Sequence, residues 1–303
     1  MLTGGHSHAD ALSVALFSHG RELLVDPGTF VYNGAPLWRR HFRSTAAHNT
    51  VSVDGRDQAE MGGPFRWNSG IAARVTDMRV LPVPSVEAEH RGYADIIHRR
   101  RIVNVGAGCW ILLDDFRGVG VHSFESGFHF GPDVEISEFA HESSDVSAWS
   151  EKEGFLLALS ASVPVDATLA SGEIAPIRGW TSPGYGRKVP SPSLRARFTA
   201  TAPVSVMTML APLRDRPVVE RIDVDEGMAI AVSCTHGRVR DIAVFCGGGG
   251  AAAVAGFRMC GEFFWIRTQA GVITHAVALR GGELRLGDRN LLEEKLCAQS
   301  AAL

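Results

Sequence analysis

The chain has 303 residues, 45% of them hydrophobic and 21% charged, with a formal net charge of -3. That length suits one large domain or two smaller ones, and the composition is that of a folded protein rather than a disordered one. The charge balance supplies no basic field for nucleic acid, and no apolar run is long enough to span a membrane bilayer.

In chain order, short apolar or alternating segments recur between turn residues: "ALSVALF" (11–17), "ELLVDPG" (22–28), "NTVSVDG" (49–55), "RIVNVG" (101–106) and "CWILLDDF" (109–116). The pattern continues with "GFLLALSASV" (154–163), "PVSVMTML" (203–210), "GMAIAVSC" (227–234), "RDIAVFC" (240–246) and "EFFWIRT" (262–268). These runs are rich in Val, Ile and Phe and too short for most helices, so they read as strands. Asp54-Gly55 offers the two positive-φ residues of a tight hairpin. The fold class expected is all-β: a large multi-stranded antiparallel β-sandwich of stacked sheets with few short helices.

Helical signals are confined to "APLWRRHF" (35–42) and the tail "LLEEKLCAQSAAL" (291–303). "GGGGAAAVAG" (247–256) reads as a flexible loop, lacking the Lys-Ser/Thr ending of a phosphate-binding loop. Pro-rich stretches at 81–85, 180–193 and 211–219 read as loops or linkers. The last sets the expected boundary between a β-sandwich domain, 1–215, and a smaller C-terminal β module, 216–303. Five cysteines without a CxxC pair read as core thiols. Arg99, Arg100 and Arg101 read as an exposed strand face, with Arg100 pointing opposite to its neighbours.

The densest chemistry lies in the first fifty residues. In "GHSHAD", an extended backbone would put His6 and His8 on one face. Asp26 ends a strand before Pro27-Gly28, and His48 precedes another. Two imidazoles and a carboxylate, His8, His48 and Asp26, make a suitable set for Zn²⁺. The competing reading makes the two histidines hydrogen-bonded core residues and Asp26 a turn cap. Arg39, Arg40 and Arg43 lie between these positions and suit bidentate contact with anionic groups, or else a solvated basic turn. Trp180 and Tyr185 suit either a sugar-stacking platform or a staple for their loop.

The blocks "GGHSHADALSVALFSHGRELLVDPGTFVYNG" and "RRHFRSTAAHNTVSVDGRDQ" resemble the β-sheet domain of heparinase II/III-like polysaccharide lyases. "HRRRIVNVGAGCWILLDDFRG", "FESGFHFGPDVEI" and "RGWTSPGYGRKVPSPSLRARF" extend the resemblance, in order, over roughly the first two-thirds of the chain. The resemblance implies β-elimination on a uronic-acid-containing polysaccharide, whether glycosaminoglycan or alginate. It implies a catalytic role for His6 and a structural Zn²⁺ on His8, Asp26 and His48. Arg39, Arg43 and Tyr32 are the candidate substrate-binding residues, with packing the alternative for Tyr32. The family's helical toroid, which carries a catalytic tyrosine, has no counterpart in the sequence. The expectation is therefore the β part of a longer or two-chain enzyme, with little turnover alone. A homodimer is compatible with this reading, and neither nucleic acid nor membrane is an expected partner. The rival functions are a non-catalytic, zinc-containing carbohydrate-binding or structural module and a metal-dependent glycan hydrolase.

Overall fold

The segment "CWILLDDF" sets the architecture, because its alternate residues enter different cores. In the computed structural model, which describes residues 4–292 apart from 82, 107 and 214, it lies in the strand Cys109–Gly118. Leu112 and Phe116 pack into one apolar core, while Cys109, Ile111 and Leu113 pack into another. A strand with both faces apolar belongs in the middle of a layered stack.

The middle layer is an eight-stranded antiparallel sheet in the order Glu138–Glu142, Asp145–Ser150, Phe155–Ala161, Val204–Pro212, Cys109–Gly118, Ile96–Gly106, Ser85–Tyr93, Arg74–Arg79. On one side lies a four-stranded sheet, Asp166–Ala170, Ser193–Thr201, Val121–His129 and Val51–Val53. Phe116, Phe124 and Phe198 meet in the core between these layers, with ring centroids 4.6 Å and 5.1 Å apart for successive pairs. On the other side lies the C-terminal eight-stranded sheet, whose Phe245, Phe263 and Trp265 share a core with Ile111, Leu113 and Met207. The expected boundary at 215/216 falls in the connection before Val218–Arg221, and apolar residues from both sides of it share that second core.

Strands take about 60% of the described residues and helix about 4%, so the all-β expectation is borne out. Pro36–Arg43 is the α-helix among the described residues, opened by Pro36 at its first turn, where a missing N–H costs nothing. Asp54 and Gly55 both have positive φ, 53° and 66°, and turn the chain as expected. The tail at 291–303 lies almost wholly outside the described residues. No helix among the described residues is long and apolar enough to cross a membrane.

Three readings need correction. "ALSVALF" forms a strand only at Leu16–Ser18, because its first half is tied by side chains into the site described below. The glycine run at 247 is part of the strand Val239–Val254, bulged between Phe245 and Gly250, with φ of 80° and 82° at Gly248 and Gly249. At Gly247 a Cβ would stand 2.3 Å from Ser205 Oγ, whereas Gly248 and Gly249 are favoured by their positive φ. The expected loop at 180–193 contains a hairpin, Trp180–Gly184 and Arg187–Pro190.

The largest departure concerns Arg99, Arg100 and Arg101, each only 3% exposed. Their alternation is as expected, but strand register places carboxylates beside them. Arg100 faces Asp114, Arg99 faces Asp115 and Arg101 faces Glu87 across adjacent strands. On the C-terminal side, Arg99 reaches Glu262 at 2.7 Å and Arg280 reaches Glu87 at 2.7 Å, so ion pairs link the two sheets. Glu87 also accepts from Thr76 Oγ1 at 2.6 Å and pairs with Arg99 at 3.2 Å and with Arg101. Burial opposes its ionisation, but Thr76 and the three guanidinium groups prevail and hold its carboxyl below the ordinary value. Removing one partner of such a network leaves buried charge uncompensated. Glu87→Gln is therefore expected to cost about 3–5 kcal/mol in urea unfolding; a loss below about 1 kcal/mol would show that the network does not hold the sheets together.

Candidate metal centre and adjoining surface

His8, Asp10, Asp26 and His48 each bring a ligand atom to within 4.8 Å of the others. The chain builds this group from three irregular segments rather than from strands. A turn closed by Ser7 N–H to the Gly4 carbonyl at 3.1 Å breaks the extended run expected for "GHSH". His6 and His8 consequently have different partners, instead of sharing one strand face.

Two members of the cluster, His48 and Asp26, are aimed by local hydrogen bonds. His48 is fully buried after the short 3-10 turn Thr45–Ala47. Its Nδ1–H donates to the Ser44 carbonyl at 2.7 Å, which turns Nε2 toward the cluster, in a hydrogen bond of 3.1 Å with His8 Nδ1 and 3.5 Å from Asp26 Oδ2. Asp26 uses Oδ1 to accept from Gly28 N–H at 2.8 Å, which leaves Oδ2 for the cluster. Gly28, with φ of 76°, is required: a Cβ there would meet the Ser182 carbonyl at 2.4 Å. Burial, with help from His48, lowers the His8 pKa to about 4, so its imidazole is neutral near pH 7. Burial raises the Asp10 carboxyl.

Imidazoles beside carboxylates form the donor set that Zn²⁺ takes, so these residues fit the metal implied by the sequence resemblance. Asp10 was not among the sequence candidates. Its signal was the spacing in "HSHAD", where the carboxylate stands two residues beyond His8.

Two further residues that the sequence reading did not assign to the site hold these segments in place. Asn49, fully buried next to His48, donates from Nδ2 to the carbonyls of Val14 at 2.7 Å and Val25 at 2.9 Å. Its Oδ1 accepts from His129 N–H at 2.6 Å. Arg100 is bidentate on Asp114, at 2.7 and 3.0 Å, and its Nη1 donates to the carbonyls of Leu12 at 2.8 Å and Asn49 at 2.7 Å. The central sheet thus grips both histidine-bearing segments from below.

The candidate substrate arginines are placed differently from their expected role. Arg39 and Arg43 are each 1% exposed; each gives some of its donors to backbone carbonyls, while Arg39 Nη1 and Arg43 Nη2 are buried with no hydrogen-bond partner among the described residues. Arg39 Nη2 donates to the Gly5 carbonyl at 2.7 Å, and Arg43 Nη1 donates to the Gly63 carbonyl at 2.7 Å. Arg43 also lies over the Trp67 ring at 4.2 Å. They fasten the turn carrying His6 to the helix Pro36–Arg43 and are not open to a ligand. The expectation of anion contacts overlooked the unpaired carbonyls of an irregular N-terminal segment, which need buried donors.

His6 is exposed, and its Nδ1 lies 3.0 Å from the Tyr32 hydroxyl, with the rings edge to face at 5.1 Å. Tyr32 is half-buried. The Arg39 guanidinium lies over its ring at 5.0 Å, and Tyr32 stacks with the rings of Phe65 and Tyr185, at 6.3 and 5.9 Å. Of two further histidines near the cluster, His129 is buried and His41 is half-buried. Burial, reinforced by Arg195 and His48, brings His41 down to about 4. Burial, reinforced by His48, Arg195 and His41, places His129 far below its ordinary value, against an opposing contribution from the Ala46 backbone.

Comparison with known proteins adds a family and a fold. The family model "Heparinase II/III-like, C-terminal" matches residues 2–229. A heparan sulfate lyase, HepC, from Pedobacter heparinus superposes with a TM-score of 0.60 at 15% identity, covering 91% of this chain and 37% of that one. Heparinase III superposes with a TM-score of 0.60 at 16% identity, covering 88% and 37%. At such identity the likeness is one of fold, and the chain spans little more than a third of either enzyme's length. No curated protein matches it in sequence.

His8, His41 and His129 predict how the metal-free protein responds to acid. Their folded pKa values lie below the unfolded value of 6.5, so they stabilise the fold when neutral, and that stability is lost as protons bind the unfolded chain. With His8 and His41 near 4, melting temperature is expected to fall steadily from pH 6.5 toward pH 4. His129→Leu, which removes one such group, is expected to flatten the decline. A flat wild-type profile over that window would contradict these assignments.

Proposed function

The chain belongs to the heparinase II/III-like family, whose C-terminal domain it matches over residues 2–229, and from that premise we propose that it forms the β-sandwich part of a polysaccharide lyase. In this reading the substrate is a uronic-acid-containing polysaccharide and the reaction is β-elimination. The observation that carries the reading is the His6–Tyr32 hydrogen bond, 3.0 Å long, on an exposed surface two residues from the candidate metal set.

Elimination removes the C5 proton of the uronate, breaks the C4–O4 bond, places a proton on O4 and leaves a C4–C5 double bond. A hydroxyl donating to His6 Nδ1 puts the imidazole proton on Nε2, which has no hydrogen bond among the described residues. That nitrogen is the proposed proton donor to the departing O4. As it gives up its proton, Tyr32 supplies another at Nδ1, and the Arg39 guanidinium over the phenol ring favours the resulting negative charge. The C5 base is assigned to the helical half that the family resemblance implies, which would form the opposite wall.

The proposed metal ligands are His8, Asp26 and His48, with Asp10 beside them; bound there, Zn²⁺ would cross-link the segments and supply structural stability. The chain's own residues hold the catalytic geometry: Arg39 and Arg43 fix the turn bearing His6, and Tyr32 fixes its ring. Both arginines are buried, so neutralising the uronate carboxylate is assigned to other groups.

Ultraviolet absorbance of unsaturated uronide ends tests the proposal. The 303-residue chain alone is expected to release few such ends from heparan sulfate, and addition of the helical half is expected to restore release. In the restored enzyme, His6→Ala should lower turnover by about 10²-fold or more. Products cleaved without a double bond would instead assign hydrolysis, and undiminished turnover in His6→Ala would remove the proposed acid.

A further inference from the structure

The hairpin Trp180–Gly184 and Arg187–Pro190 lines the same surface and takes no part in the proton transfers above. It is strapped along the segment from Asp26 to Tyr32. Ser182 N–H donates to the Pro27 carbonyl at 2.7 Å, and Gly186 N–H donates to the Phe30 carbonyl at 2.8 Å. The hairpin therefore follows the backbone from the candidate metal carboxylate to the partner of His6.

Two of its side chains are left with unused binding capacity. Tyr185, at the tip, is 67% exposed and stacks on Tyr32 with an interplanar angle of 24°. Phe65, 49% exposed, stacks on Tyr32 at 19°, so Tyr32 joins two rings that both reach solvent beside His6. Lys188 is half-buried, its ammonium 4.4 Å from the Trp38 ring, 4.5 Å from Trp180 and 5.4 Å from Phe30. Trp38 and Trp180 meet edge to face at 5.3 Å, which fixes that cage. Aromatic faces position a cation without neutralising it. No carboxylate among the described residues forms an ion pair with Lys188.

An exposed ring suits the apolar face of a sugar, and a held but unpaired ammonium suits an anionic substituent. We propose that this hairpin is an acidic-sugar subsite beside His6, with Tyr185 stacking on a sugar ring and Lys188 meeting its carboxylate or sulfate. The inference rests on the polysaccharide reading above and names the residues that would give that reading its preference for acidic chains. It also supplies the positive charge that buried Arg39 and Arg43 cannot offer.

Calorimetric binding to the chain tests it with three probes: an unsulfated heparosan octasaccharide, a heparan sulfate octasaccharide and a neutral cello-oligosaccharide. Wild type is expected to prefer the acidic probes. Tyr185→Ala, a change at an exposed position, should weaken both acidic probes by about 10-fold. Lys188→Met keeps the packing volume and should weaken acidic binding by about 5-fold with a shallower salt dependence, while Lys188→Arg should stay within about 2-fold of wild type. Loss on both acidic probes identifies the carboxylate as the Lys188 partner, and loss on heparan sulfate alone identifies sulfate. If Tyr185→Ala and Lys188→Met melt like wild type and bind acidic probes equally well, the subsite is wrong while the lyase reading stands. If wild type does not prefer acidic chains, both fall together.

Discussion

The candidate site depends on one buried cross-strand pair, Arg100 with Asp114. Antiparallel register sets the two side by side in the central sheet, and the fork of the guanidinium matches the carboxylate at 2.7 and 3.0 Å. Its remaining donor capacity reaches past the sheet to the carbonyls of Leu12 and Asn49. Those carbonyls belong to irregular segments that have no ladder of their own to satisfy them. Burial alone would push the Asp114 carboxyl up, but Arg100 and His98 bring it down to about 2, so the pair stays ionised. A surface-like feature, two histidines and two carboxylates on loops, thereby acquires the rigidity of a core.

From that support the rest of the surface follows. Asn49 locks the segments at Val14, Val25 and His129 together, and His48 immediately precedes it. Arg39 and Arg43 reach from the helix to the turn bearing His6, so that turn is held from the opposite side. His6 itself stays exposed and is steered through Tyr32 rather than through the metal set. This arrangement suits the proton-transfer role proposed for His6, because neighbouring side chains fix the position of its ring. The hairpin bearing Tyr185 and Lys188 extends the same surface along the Asp26–Tyr32 segment.

The layered β architecture was legible because alternation and turn chemistry are local: "CWILLDDF" and Asp54-Gly55 needed no partner to be interpreted. The family, too, was legible from the motifs around His6, His8 and His48. What local patterns could not reveal was pairing across the fold. Arg99, Arg100 and Arg101 looked solvent-facing because the carboxylates that neutralise them, Glu87, Asp114, Asp115 and Glu262, lie on other strands. Arg39 and Arg43 looked available for a ligand because nothing in a linear sequence shows which backbone carbonyls lack donors. The glycine run looked like a loop because the close approach of Ser205 is a tertiary fact. Asp10 was visible in "HSHAD" but gained meaning only once a turn had separated His6 from His8.

The central claim is that a metal set is preorganised from below by the central sheet. Titration of the metal-free chain with Zn²⁺ against a competing chelator tests it most directly. The account predicts one Zn²⁺ per chain, loss of that site in His48→Ala, and an affinity about 10–100-fold weaker in Arg100→Lys, which touches no ligand atom. Equal binding by wild type and His48→Ala, or no stoichiometric binding by wild type, would contradict it.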